Sequence, residues 1–161
     1  MSKGILMSAP SVLALNDGRK TQTRRLAKES ELNAIDHWRW GIPGDLLYVK
    51  EAWAQRLDMD HLNGTQLYDS GVRKAWYWAD GPGRCFNTGC AGAAGRYRHA
   101  RFMPRWASRT TLELTDVRVQ RVQEISIAWN SIHGPDAWER NDWVFALTFN
   151  VHKRNVLEME D

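Results

Sequence analysis

The sequence is short of the features that most often give a function away. Only two cysteines, Cys85 and Cys90, occur in 161 residues. That is too few for a disulfide scaffold, and a reducing cytoplasm is the expectation. The pair has C-x4-C spacing with His99 downstream. Zinc needs four ligands with a matching second pair, so neither a metal nor another cofactor is expected. No apolar run approaches the ~20 residues that span a bilayer, which argues against a membrane partner. The opening MSKGILMSAPSVLAL has one Lys and an apolar stretch broken by Ser and Pro, and does not read as a secretory signal. There is no nucleophile elbow, P-loop or dinucleotide fingerprint, and no internal repeat. His37, His61, His133 and His152 are scattered without a Ser/His/Asp order. With 43% apolar and 25% charged residues, the chain is neither disordered, collagen-like nor a coiled coil. Its length suits one domain.

Two features stand out against these absences. The first is nine tryptophans: Trp38, Trp40, Trp53, Trp76, Trp78, Trp106, Trp129, Trp138 and Trp143. Such side chains stabilise a small core or line a site that stacks flat ligands, and composition does not separate the two. The second is charge segregation beneath a net charge of only +3. Between Asp17 and Glu29 there is no carboxylate, and the window holds Arg19, Lys20, Arg24, Arg25 and Lys28. Between Asp80 and Glu113 there is again none, and that window holds Arg84, Arg96, Arg98, Arg101, Arg105 and Arg109 with His99. Basic stretches interleaved with Tyr97, Phe102 and Trp106 suit phosphate contacts and base stacking. They also suit a solvated face that keeps a protein soluble. On the first reading, Arg19, Arg24, Arg25, Arg98, Arg101 and Arg105, with Trp53 and Trp106, are the candidate nucleic-acid contacts.

Residue patterning predicts strands at 4–7, 46–53, 72–78, 107–122 and 143–151. A short helix is expected after Pro10, carrying Val12, Leu13 and Leu15 and ending at Asn16-Asp17-Gly18. A second helix is expected at 126–132, and a turn at Pro43-Gly44-Asp45. The basic segment after Gly18 and the polar stretch 58–70 read as loops, and 80–98 as a glycine-rich loop insertion. Residues 1–154 would form a single domain, with 155–161 a frayed tail. Strands outnumber helices, which points to an α+β fold: a small β-barrel with short helices covering its ends.

The densest local signal is Gly18-Arg19-Lys20-Thr21-Gln22-Thr23-Arg24-Arg25. A helical turn or tight loop would place Lys20 and Thr23 on one side. A lysine among other cations has its pKa lowered and acts as a base or nucleophile; a phosphate-binding or merely solvated loop fits the same residues. Glu51 lies within an apolar strand, where an unpaired charge is costly. Lys20, Arg24 or Arg25 are the expected partners.

Four blocks, ILMSAPSVLALNDGRKTQTRR, PGDLLYVKEAWA, ARFMPRWASRTTLELTDVRVQRVQEI and AWNSIHGPDAWERNDWVFALTF, resemble the ASCH family. The resemblance is closest to its phage and prophage branch, often labelled phage morphogenetic protein, and covers roughly two thirds of the chain in the family's order. Gly18, Lys20 and Arg25 match the family's Gly-x-Lys-x-x-x-x-Arg signature. The resemblance implies a PUA-like barrel in the cytoplasm of a bacterial host, with a cleft for RNA or a modified nucleoside. One ASCH branch hydrolyses N4-acetylcytidine with a Lys, a Thr three residues later and a Glu. Lys20 and Thr23 match the first two. Another branch is a ribonuclease.

The family's Glu comes from an acidic helix after the long strand. Here Glu124-Ile125-Ser126 runs straight into Ile127-Ala128-Trp129, so Glu51 or Glu124 would have to substitute. General acid–base catalysis contributes about 10²–10⁴-fold, so this departure favours binding over turnover. The expected partner is RNA, another nucleic acid or a nucleoside in a basic cleft. A hydrolase, or a phage accessory protein whose Trp-rich surface binds a host protein, are the alternatives. Trp53, Trp106, Trp129 and Trp143 fall inside the matching blocks, where barrel packing suits them. Trp38, Trp40, Trp76 and Trp78 are better candidates for a stacking or partner surface.

Overall fold

The computed structural model describes residues 2–32, 39–81, 95–122 and 139–160. In chain order these form β1 (Lys3–Leu6), α1 (Ala9–Asn16), β2 (Gln22–Leu26), α2 (Glu29–Leu32) and β3 (Leu46–Lys50). There follow β4 (Trp53–Ala54), α3 (Gly64–Asp69), β5 (Trp76–Tyr77), β6 (Thr111–Arg121) and β7 (Trp143–His152), with several single 3-10 turns. Glu124, Cys85, Cys90, Trp38, Trp129, Trp138 and the expected helix at 126–132 lie outside the described residues.

The fold is mixed α+β. A five-stranded sheet has the order β1-β3-β6-β7-β2, and β4 pairs with β5 in a separate two-stranded ribbon. β1 runs parallel to β3, and β2 antiparallel to β7. Among the described residues the sheet is open, with β1 and β2 at its edges. β7 reads WVFALTFNVH and buries Val144, Phe145, Ala146 and Leu147 in succession. That near-continuous apolar run belongs to a strand covered on both faces and flanked by β6 and β2.

The chain divides into two compact units, Met1–Lys20, Leu46–Leu112 and Val151–Asp161 forming the first, and Thr21–Asp45 and Glu113–Asn150 the second. In the first unit, α1 starts with Pro10 in its first turn, buries Val12 and Leu15, and stops where Gly18 takes φ +72. A left-handed residue of this kind ends a helix, and glycine adopts it without a side-chain clash. β3 alternates buried Leu47 and Val49. The expected strand 46–53 is broken at Glu51. There the chain leaves β3 and resumes as β4, Trp53 exchanging backbone hydrogen bonds with Arg98. Trp53, Leu67, Ala75, Met103 and Ala107 form a buried cluster beneath Tyr77 and Trp106.

Three local expectations are corrected. Residues 58–70 contain α3, held by a reciprocal cap. The Asn63 side chain accepts from the Thr65 and Gln66 backbones, and Gln66 accepts from the Asn63 backbone. The basic segment after Gly18 contains β2 rather than only loop. Residues 155–160, expected to be frayed, are held in place. Val156 is fully buried, the Asn155 side chain donates to the carbonyls of Arg105, Trp106 and Ser108, and Glu160 pairs with Arg105.

Candidate nucleic-acid interface

In the first unit the chain that leads into β6 is locked beside β3. Val49 N–H donates to the Thr110 carbonyl, and the Ser108 hydroxyl donates to the Val49 and Thr110 carbonyls. This registers Arg109 against the residue that follows β3, Glu51. Arg109 donates from Nε and Nη2 to the two Glu51 oxygens, each at 2.9 Å. The same guanidinium binds both oxygens of Asp80, in the 3-10 turn Trp78–Asp80. Its face lies 4.0 Å from the centre of the Tyr77 ring. Glu51 therefore has a partner, but not one of the expected cations Lys20, Arg24 or Arg25.

Burial, together with one guanidinium shared by two carboxylates, sets the shifts here. Burial pushes the Glu51 carboxyl above its ordinary value; Arg109 opposes this and Asp80 adds to it. Burial alone would lower Arg109, but its hydrogen bonds to Asp80 and Glu51 reverse that and hold it charged more firmly than usual. Burial, then the Glu51 charge, raises the Tyr77 phenol. Tyr77 remains a donor, at 2.8 Å to the Ala107 carbonyl.

The Arg109–Tyr77 stack forms one wall of a cleft of about 530 Å³ lined also by Tyr68, Arg73, Trp106, Ser108, Lys153, Arg154, Asn155, Leu157 and Glu158. Arg73 lies 3.8 Å over the Tyr68 ring, held by hydrogen bonds from Nη1 to the Tyr68 and Val72 carbonyls. Trp106 stands 6.5 Å from Tyr68 between ring centres and fixes its indole by donating to the Gly64 carbonyl at 3.0 Å. Lys153 and Arg154 are exposed at its rim. Among the described residues, no carboxylate lies within ion-pair distance of Arg73, Lys153 or Arg154. The chain was compared with protein-family models, curated proteins and solved structures. It matches none of them.

The other sequence-derived candidates are dispersed. Trp53 is 1% exposed, with the Arg98 guanidinium 5.1 Å from its ring. Arg98 in turn donates to the Leu62 and Asp60 carbonyls, so both residues are scaffold beneath Trp106. Arg101 is exposed, and its carbonyl accepts from Lys50. Arg105 pairs with Glu160, and Arg19 with Asp17 on the surface. Lys20 is half-buried in the first unit, its backbone N–H completing the end of α1 on the Ala14 carbonyl.

Thr23, Arg24 and Arg25 belong to β2 in the second unit, where strand alternation divides them. Thr23 is buried opposite Leu147 and accepts from Arg25 Nη1 at 2.9 Å; Arg25 also lies 6.0 Å from the Trp40 ring centre. Arg24 projects from the opposite face, beside Ala146. Tyr68, Arg73, Tyr77, Arg109, Lys153 and Arg154 were not singled out as cleft residues by sequence. Arg109 lay in plain view within the second basic window, but nothing in the chain marks which arginine reaches Glu51.

Proposed function

We propose that the protein is a nucleic-acid-binding module of the PUA-like ASCH type, and that the cleft of the first unit takes RNA or another single-stranded nucleic acid. Phosphates lie on Arg73, Lys153 and Arg154, and a base lies against Tyr68 and the exposed edge of Trp106. The open α+β sheet with short helices supports the mixed fold that the ASCH-like blocks imply, and closure into a barrel is part of the proposal. The observation that carries the reading is the cleft's composition. Three cations without an ion pair among the described residues surround aromatic rings in one concavity, and Glu158 is the one carboxylate among its described lining residues. Single-stranded nucleic acid is held by this combination of backbone charge and stacking surface. Both Glu51 oxygens are occupied by Arg109, which favours binding over a hydrolase that would use this carboxylate.

Fluorescence anisotropy of a labelled single-stranded RNA, between 50 and 200 mM salt, tests the reading. Three phosphate contacts predict a slope of about −2 in log affinity against log salt, at ~0.7 per phosphate for single strands. Absence of binding at the lowest salt, or binding indifferent to salt, overturns it.

A further inference from the structure

Arg24 is a cation that does not line the cleft. It projects from β2 on the side of the sheet where its partner across β7 is Ala146, the smallest side chain in the buried run of that strand. On the far side of β7 runs β6, which carries Arg118. The backbones of β2 and β6 are therefore about 10 Å apart, two strand spacings. Arginine stems reach far enough to bring two guanidiniums together over a side chain as short as alanine.

Three observations show that this arrangement is incomplete. Arg24 has no carboxylate within ion-pair distance among the described residues. Its Nε is buried and makes no hydrogen bond. Burial first, and then the charge of Arg118, hold the Arg24 guanidinium below its ordinary value. Arg118 has one carboxylate, Asp116, on its Nε at 2.7 Å, in a pair exposed on both sides that is weak in water. Among the described residues its two terminal nitrogens make no hydrogen bond or ion pair. A buried unsatisfied donor beside a like charge is unfavourable; an anion between the two guanidiniums relieves the repulsion directly, and relieves the donor when a turn of the Arg24 side chain brings Nε to it.

We infer that Arg24 and Arg118, standing over Ala146 on the second unit's sheet, form a binding site for a tetrahedral phosphate-type oxyanion. The oxyanion accepts from the terminal nitrogens of both arginines, and from Arg24 Nε where the side chain turns that buried atom outward. Free phosphate and a phosphodiester of a bound nucleic acid share this chemistry. The second source rests on the proposed nucleic-acid function, whereas the first does not.

Thermal unfolding in chloride and in inorganic phosphate at matched ionic strength tests the site directly. For a chain of this size, saturating the site several-fold raises the wild-type Tm by about 2–4 °C. In Arg24→Gln and Arg118→Gln the phosphate-specific rise is lost, and in Arg56→Gln, which removes an exposed Asp58 pair elsewhere, it persists. The site carries a second signature. In chloride, Arg24→Gln melts at or above wild type, because the variant removes an unsatisfied guanidinium; an ordinary structural arginine would melt lower. Equal responses to phosphate in wild type and both variants overturn the site. So does a fall in Tm for Arg24→Gln in chloride unaccompanied by loss of the phosphate response. The RNA titration then assigns the source. A phosphodiester contact lowers the magnitude of the salt slope by about 1 in Arg118→Gln, and an unchanged slope with an intact phosphate response assigns the site to free phosphate. Failure of RNA binding altogether leaves the phosphate measurement readable on its own.

Discussion

Arg109 donates a 2.9 Å hydrogen bond to each carboxylate oxygen of Glu51, 58 residues away in the chain. Glu51 is 2% exposed at its side chain and Arg109 24%. Removing one member strands the other's charge in a site water reaches poorly. Arg109→Ala is expected to lose about 3–5 kcal/mol, the range for breaking a buried pair. Arg109→Lys recovers little, since an ammonium cannot reproduce the two-pronged contact to Glu51 while also holding Asp80. Combining Arg109→Ala with Glu51→Gln regains part of the loss, because the buried carboxylate is gone. Urea unfolding of these three variants beside wild type provides the comparison; a loss below about 1 kcal/mol for Arg109→Ala would show the pair to be effectively solvated.

The same cluster sets a pH dependence. Glu51 titrates above its ordinary value of 4.5 in the folded protein, chiefly because it is buried. The folded state therefore holds this proton more tightly than the unfolded chain. The Glu51 contribution is most favourable below pH 4.5 and is lost as pH rises through the folded value. Glu160 works the other way. Desolvation is the largest single influence and raises its value, but hydrogen bonds from Ser2 and Arg105 and the Arg105 charge together outweigh this and lower it, so its stabilisation is present above 4.5 and lost on acidification. The diagnostic quantity is thus the difference between wild type and Glu51→Gln. Urea midpoints from pH 4 to 7 should fall more steeply, or rise less, for wild type than for the variant. Parallel curves would remove Glu51 from the account.

Asn155 joins the end of the chain to the turn before β6. Its amide donates to the carbonyls of Arg105, Trp106 and Ser108, and its oxygen accepts from the Leu157 backbone at 2.9 Å. Asn155→Ala leaves these carbonyls without the donor, at a cost of about 1–3 kcal/mol. Asn155→Asp should be worse at neutral pH despite its similar shape, since a carboxylate then faces three carbonyl oxygens. Thermal unfolding of both variants tests this; equal Tm values for Asn155→Asp and wild type would refute the assignment of the amide as donor.

The parts of the fold legible in the sequence are those governed by local patterning. Pro10 and Gly18 bracket α1, and the alternation from Thr111 and the apolar run from Trp143 mark β6 and β7. β2 was obscured because Arg24 and Arg25 interrupt the apolar rhythm. An edge strand tolerates such charges, and they discourage pairing with other chains. α3 carried a usable signal in Asn63 and Gln66, the two ends of a capping box, hidden by the polar residues around it. The Glu51 partner was not legible. A buried carboxylate demands a cation, but many arginines qualify by charge, and only the docking of residues 108–110 against β3 selects Arg109. The tryptophans divide for the same reason: no local pattern in the sequence separates Trp53 from Trp106, yet one is sealed in the core and the other borders the cleft.

That division separates residues that hold the cleft from residues that meet a ligand. Arg98 is 9% exposed at its side chain, bound to two carbonyls and stacked on Trp53. Arg98→Ala should cost about 2–3 kcal/mol through its charged hydrogen bonds, while the salt slope of RNA binding at a temperature where the variant is folded stays at the wild-type value. Lys153 is exposed at the rim of the cleft. Lys153→Gln should change stability by no more than about 0.5 kcal/mol and lower the magnitude of the salt slope by about 0.7–1, one phosphate contact. Anisotropy titrations and urea unfolding on the two variants together decide the matter. If Arg98→Ala alters the slope and Lys153→Gln does not, phosphate contact lies with the basic window of the sequence rather than with the cleft.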